Sequence, residues 1–389
     1  MIAISEGVDA RVRSAVLATY AVFIASGFAF ASWASRIPQV RDRLHLDPSE
    51  LGLVLLAMAA GSVIALPLSG VIIGHFGSPW TVRTTALLVA VAMAVVSLGY
   101  LVGVVPVVIG LFLFGLGLGT WDVAMNVQGA SVERRLGRAI MPRFHAGFSV
   151  GTVAGALVGA GMVALRVPVT AHLLGVAVLI GVGVPISVRG FLPDDVEQDK
   201  AQKDAVPDRR NSGRKALHAW REPRTLLIGL FVLAFAFAEG VGNDWISIAL
   251  IDGYGTSATV GTLGFATFLA AMTAGRWFGP RSLDRFGRVI VIRVLTVICL
   301  VGVLLFVFGS YVIVAFAGAD EPAMAAPRVS VIASIGYCAF LAGPPLIGFL
   351  GDHFTVLRAV VAVAALLALA IMITGAIRPP TGTSDSPVR

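Results

Sequence analysis

Eleven apolar runs, each long enough to cross a bilayer, follow one another along this chain: near 14–35, 51–74, 80–102, 105–128, 144–165, 168–188, 225–250, 256–279, 289–318, 329–350 and 354–377. A hydrocarbon core about 30 Å thick takes roughly 20 residues of helix. Inside it every backbone N–H and C=O needs a partner within the protein, which leaves helices or closed barrels. Period-two alternation, the mark of a barrel strand, is scarce here, so the runs predict an all-α polytopic membrane protein. Charged residues make up only 13% of the chain, against about 25% in soluble domains, and no soluble domain fits between the runs. The +7 net charge collects in alternate loops, which sets topology and does not point to nucleic acid. Cys299 and Cys338 both lie in apolar runs, so neither a disulfide framework nor a metal site is expected. The first run is too long for a cleaved leader and is followed by many more, so it reads as an uncleaved first helix.

The runs fall into two groups. Residues 1–188 hold six spans and 189–224 form a polar linker; 225–378 hold five more spans, and 379–389 are a polar tail. With a cytoplasmic N-terminus, Arg11, Arg13, Arg83, Arg134, Arg135, Arg138, Arg143 and the linker's basic residues are inside, while the outer loops of the first half hold only Arg36, Arg41, Arg43 and Arg166. That asymmetry predicts a cytoplasmic linker. The groups echo each other. Gly287, in Asp284-Arg285-Phe286-Gly287-Arg288, stands 210 positions after Gly77 in Gly74-His75-Phe76-Gly77, and Trp245 stands 212 after Trp33. Pro327-Arg328 follows Pro142-Arg143 at an offset of only 185. About 25 residues are therefore missing from the second group, roughly one crossing, in the ninth and tenth helix region. The loss either inverts the last two helices or is absorbed in a short re-entrant pair.

Ionisable groups inside apolar spans single out the candidate site. Gly115, Gly119, Asp122, Asn126 and Gly129 recur at steps of four and three, so small residues and polar groups share one helix face. A carboxylate at the bilayer centre costs roughly 3 kcal/mol on insertion scales, so this face looks into a bundle or a wet cavity. It serves either as a polar clamp or as a path for solute or protons. Glu239, with Asn243 and Asp244 beyond it, is the second cluster. Thr19, Phe23, Ser26, Phe30 and Trp33 make a stripe on the first span, suited to helix packing or to stacking on a solute ring. The candidate solute contacts are Phe23, Phe30, Trp33, Trp121, Asn126, Asn243 and Trp245, and the candidate proton carriers are Glu239 and Asp122. Arg36, at the outer end, either snorkels or closes an outer gate on Asp244. Gly147, Gly151, Gly155 and Gly159 form a close-packing ridge, and Pro344-Pro345 interrupts its helix.

Two halves around a cytoplasmic loop, with DRFGR after the eighth span, resemble the major facilitator superfamily. The blocks SWASRIPQVRDRL at 32–44, GTWDVAMNVQG at 119–129, PRFHAGFSVGTVAG at 142–155, EGVGNDW at 239–245 and GYCAFLAGPPLIGF at 336–349 look like its YbjJ branch, loosely similar to fucose permease. The resemblance implies that Asp284, Arg285, Gly287 and Arg288 belong to a cytoplasmic gate, which the first half lacks because Gly74, His75, Ser78 and Pro79 replace its charged members. It also implies that acids of the fourth and seventh helices carry coupling protons. The expectation is a multi-pass transporter of the bacterial inner membrane, monomeric, moving a small organic solute by alternating access with protons. No enzyme activity, cofactor, metal or nucleic-acid partner is expected, since no nucleophile–base pair, ligand spacing or phosphate loop is present. The alternative is a transport-impaired ligand sensor or a decayed transporter, prompted by the missing helix.

Overall fold

The computed structural model describes residues 10–193, 222–308 and 326–373. Among them the chain is all helix. The first half contains α1 (Ala10–Ala34), α2 (Ile37–Leu44), α3 (Pro48–Phe76), α4 (Ser78–Gly99), α5 (Val104–Leu136), α6 (Met141–Ala164) and α7 (Val169–Ser187). The second contains α8 (Pro223–Tyr254), α9 (Ala258–Phe286), α10 (Arg288–Phe308), α11 (Ala326–Phe354), the short α12 (Val356–Ala359) and α13 (Val361–Ile373). Ten spans among the described residues are long and apolar enough to cross a membrane, with α2 continuing α1 and α13 continuing α12. α11, 29 residues long, is the eleventh by length.

Local chemistry sets the ends. Asp47 caps α3: its carboxylate accepts from the Glu50 N–H at 2.7 Å, while Glu50 accepts from the Asp47 N–H at 3.1 Å, and Pro48 opens the helix. Gly137 and Gly255, both at positive φ, close α5 and α8. The Glu133 carboxylate accepts from the N–H groups of Ile140 and Met141, satisfying donors where α6 begins.

Packing gives each helix a direction. Gly190, just past α7, lies against Ser14 and Ala18 of α1, so α1 starts at the end of the bundle where residues 193 and 222 lie, here called the linker end. α3, α5, α7 and α9 return toward it, and α1, α4, α6, α8 and α10 leave it. Near its end α11 touches Pro48 through Gly348 and Gly351, which fixes that end at the far side. α13 then descends, with Ala370 clustered with Phe231 and Ile292. α10 and α11 therefore run the same way, and the last two helices are not inverted. The junction 309–325, where the shortened ninth and tenth region was expected, lies outside the described residues, as do most of the linker and the whole tail.

In the first half α5 is wedged against α3, α4 and α1. In the second half a cavity of about 340 Å³, lined mainly by apolar residues of α8, α9, α10 and α13, lies between the equivalents of α1, α3 and α4. The halves meet along two seams, α3 on α11 and α6 on α9.

Candidate functional site

At mid-depth the site is built on α8, α9 and α6. A rise of 1.5 Å per residue puts Glu239 about 24 Å from the linker end of α8 and about 22 Å from its far end. Its carboxylate oxygen accepts from Nη2 of Arg276 on α9 at 3.1 Å, both side chains being about one-third exposed. Nη1 of the same guanidinium donates to Ser149 Oγ at 3.3 Å, across the seam on α6. One arginine thus joins the acid of its own half to a buried hydroxyl of the other.

Asp122 is about 27 Å from the far end of α5 and about 21 Å from its linker end, yet its side chain is exposed. Asn126, one turn on, donates to the Asp122 carbonyl at 2.9 Å and to its carboxylate at 3.3 Å. Of the glycines expected on the same face, Gly115 lies against the Met58 backbone and Gly119 against Ser62, both on α3, whereas Gly129 lies against Met141 and Phe144 of α6.

At the far end the halves are held by polar contacts absent from the expected gate. Arg41 of α2 donates to both carboxylate oxygens of Asp252 on α8, at 2.5 and 3.1 Å, and also to Asp42. Ser49 of α3 donates to Asp352 at the end of α11. Around these contacts the helices touch backbone to backbone, Gly52 against Pro344 and Gly348 against Pro48.

The partner expected for Arg36 is not the one it has. Its guanidinium is buried inside the first half, Nε donating to His172 Nδ1 at 3.0 Å and Nη2 to the Val167 carbonyl at 3.1 Å, rather than reaching Asp244. The ends of α1 and α6 converge here, so helix C-terminal carbonyl dipoles help hold the cation without a carboxylate. Asp244 is partly exposed on α8. Four of the aromatic candidates are closed into helix packing: Phe23, stacked on Phe144 at 5.7 Å, and Trp33, Trp121 and Trp245, all at most 3% exposed. Phe30, Asn126 and Asn243 are partly exposed. The indole N–H groups of Trp33, Trp121 and Trp245 and the Asn243 Oδ1 find no hydrogen-bond partner among the described residues. Of the linker-end candidates, Gly287 takes φ +80° in the turn between α9 and α10, and Arg285 is exposed, lying over Phe286. The side chains of Asp284 and Arg288 lie outside the described residues.

Sequence reading missed Arg276, Arg41–Asp252 and Ser49–Asp352. Arg276 had a signal, as an arginine within a predicted span three residues from its expected end at 279. The far-end pairs had none, because pairing across halves leaves no periodicity.

Two pseudo-symmetric helical bundles, joined along two seams and carrying paired charges at mid-depth, define a membrane transport protein. The family model of the Major Facilitator Superfamily matches residues 16–325, and the chain belongs to that family. It is 30% identical over 355 residues to an uncharacterized transporter, y4wD, of Sinorhizobium fredii, covering 86% of this chain and 90% of the relative. Among solved structures it is similar in fold to the nucleoside transporter NupG (D323A mutant), with TM-score 0.73 and 13% identity over 93% of this chain and 100% of that one. It is also similar to a D-xylose-proton symporter, with TM-score 0.62 and 15% identity over 94% and 89%.

Proposed function

We propose that this chain is a proton-coupled secondary transporter of a small organic solute, of the YbjJ-like branch, working by alternating access between its halves. The observation that carries the reading is the far-end closure. Beside the apolar packing that runs from one half into the other, it holds breakable parts: the Arg41–Asp252 pair, the Ser49–Asp352 hydrogen bond and bare helix backbone. Alternating access requires that solute and proton bind the two arrangements unequally, and gates of this kind allow two arrangements of similar energy. In this reading the far end is outside and the linker, N-terminus and DRFGR turn are cytoplasmic, in accord with the basic residues gathered there.

Glu239 and Asp122 take the coupling protons. An ionised Asp122 facing lipid at mid-depth would cost roughly 3 kcal/mol or more, so its exposure favours a water-filled space between the halves. Asn126, Asn243 and the partly exposed Phe30 contact the solute there. Trp33 and Trp245 contribute their N–H groups only if the helices around them shift. The nucleoside and xylose transporters of like fold suggest hydroxylated solutes to try first. The shared direction of α10 and α11 keeps the last helices in the orientation of a complete repeat, which favours a working carrier over a decayed one.

The test begins with thermal stabilisation of purified protein by nucleosides, xylose and fucose. Uptake of the stabilising solute into proteoliposomes under a pH gradient follows. Glu239→Gln and Asp122→Asn are expected to lose gradient-driven accumulation while keeping the melting temperature. Wild-type accumulation in both variants removes the proton assignment.

A further inference from the structure

Arg276 has no part in the function as stated so far, yet its guanidinium is paired with Glu239, one of the proposed proton carriers. It lies about 27 Å from the far end of α9 and about 15 Å from the linker end. A cation at that depth needs partners, and this one divides its donors between Glu239 at 3.1 Å and Ser149 at 3.3 Å. The two partners differ in kind. Glu239 is titratable and belongs to the same half, whereas Ser149 is neutral, 1% exposed, and belongs to the other. A guanidinium offers its N–H groups in a rigid planar fork, so the direction that satisfies the carboxylate also aims the second nitrogen. Here that direction crosses the α6–α9 seam.

A proton on Glu239 removes the negative charge that holds the fork. The guanidinium then stands at mid-depth with a weaker partner and swings toward other acceptors, and the contact with Ser149 goes with it. The charge state of one carboxylate becomes the presence or absence of a bond between the halves. We propose that Arg276 is the coupling residue of this carrier, a positioning group that passes the proton state of Glu239 to the seam through Ser149. The inference rests on the reading of Glu239 as a proton carrier.

Other ionisable groups stand on the packed elements and share the field. α8 carries Asp244, five residues beyond Glu239, and Asp252, which is paired with Arg41 of α2. α6 carries His145, one turn from Ser149 and edge-on to Phe23, and Arg143 beyond it. α9 itself carries Arg285, α10 carries Arg293 near the linker end, and α11 ends in Asp352 and His353. A pH response alone would therefore not single out Glu239, and the test compares variants.

Spin labels at exposed Arg43 and His353, with Cys299 and Cys338 replaced by alanine, report the far-end distance between halves by pulsed electron resonance in nanodiscs. Between about pH 8 and about pH 5 the fraction of separated halves is expected to change by about fivefold or more, the low end of typical couplings. Arg276→Lys, which keeps the charge but not the fork, is expected to weaken the response, while Glu239→Gln and Arg276→Gln each abolish it. An arginine that merely braces the fold would shift the distribution equally at both pH values and leave the response intact. A wild-type response in Arg276→Gln, with none in Glu239→Gln, overturns this inference and spares the proton assignment. Equal responses in wild type and Glu239→Gln overturn both. Should Arg276→Gln fail to insert, Ser149→Ala carries the test, since it retains every charge. Loss of one hydrogen bond is expected to cut the response about twofold or more, and a full response refutes the link between halves.

Discussion

The α3–α11 seam makes a prediction that separates a gate from a fixed interface. At Gly52 an added Cβ would lie 2.5 Å from the Pro344 carbonyl oxygen, and at Gly348 one would lie 2.4 Å from the Pro48 oxygen. An ordinary carbon–oxygen contact is about 3.3 Å, so either methyl pushes the two backbones apart by about 0.8 Å. Neither neighbour is a side chain that can swing away. Forcing a methyl into a packed contact costs about 1–3 kcal/mol, which at about 1.4 kcal/mol per factor of ten is roughly a 5- to 150-fold change in an equilibrium. Both contacts join different halves at the far end. The cost therefore falls on the closed arrangement and is relieved by opening, without unfolding either half. Gly52→Ala and Gly348→Ala should each raise the far-end-separated population, read from labels at Arg43 and His353, with little change in melting temperature. Gly115→Ala is the control. Its Cβ would lie 1.9 Å from the Met58 oxygen, inside the first half, and no rocking of halves relieves that clash. It should lower the melting temperature and leave the distance distribution unchanged. If Gly52→Ala behaves as Gly115→Ala does, the seam is permanent packing and the far-end gate is wrong.

Asp252→Asn or Arg41→Ala should open the same end more gently, by about threefold. The pair is bidentate, but Asp252 is 40% exposed, so solvent screening holds it to about 1 kcal/mol or less. Raising salt to about 1 M should reproduce part of that shift in the wild type and little of it in Asp252→Asn, measured with the same labels. Arg36→Met should act on stability instead. It strips buried His172 and the Val167 carbonyl of their donor and should cost about 2–4 kcal/mol, seen as a lower melting temperature with an unaltered open fraction. A large shift in open fraction would return Arg36 to the gate.

How far the sequence reached follows from what each feature depends on. Span number, the two halves, the close-packed glycine face of α5 and the placing of Asp122 and Glu239 at mid-depth depend on local periodicity and on the cost of polar groups in lipid. Both are written in a single run of residues. The pairings depend on which run lies beside which, and there reasoning one helix at a time fails. Arg36 and Arg41 sit five residues apart in one block, and nothing in that block says that the chain turns at Ser35-Arg36. That turn buries the first arginine against α7 and aims the second at α8. The span boundaries compounded the difficulty. The eighth run was expected to stop at 279 and the seventh at 250, but the helices continue to Phe286 and Tyr254, which sets Arg276 deeper within its helix and Asp252 on the last turn of α8. The same argument explains why the aromatic candidates are closed into packing here. A stripe with helical period shows that one face is apolar, but the neighbour that covers it belongs to tertiary structure. For Phe23 that neighbour is Phe144 on α6.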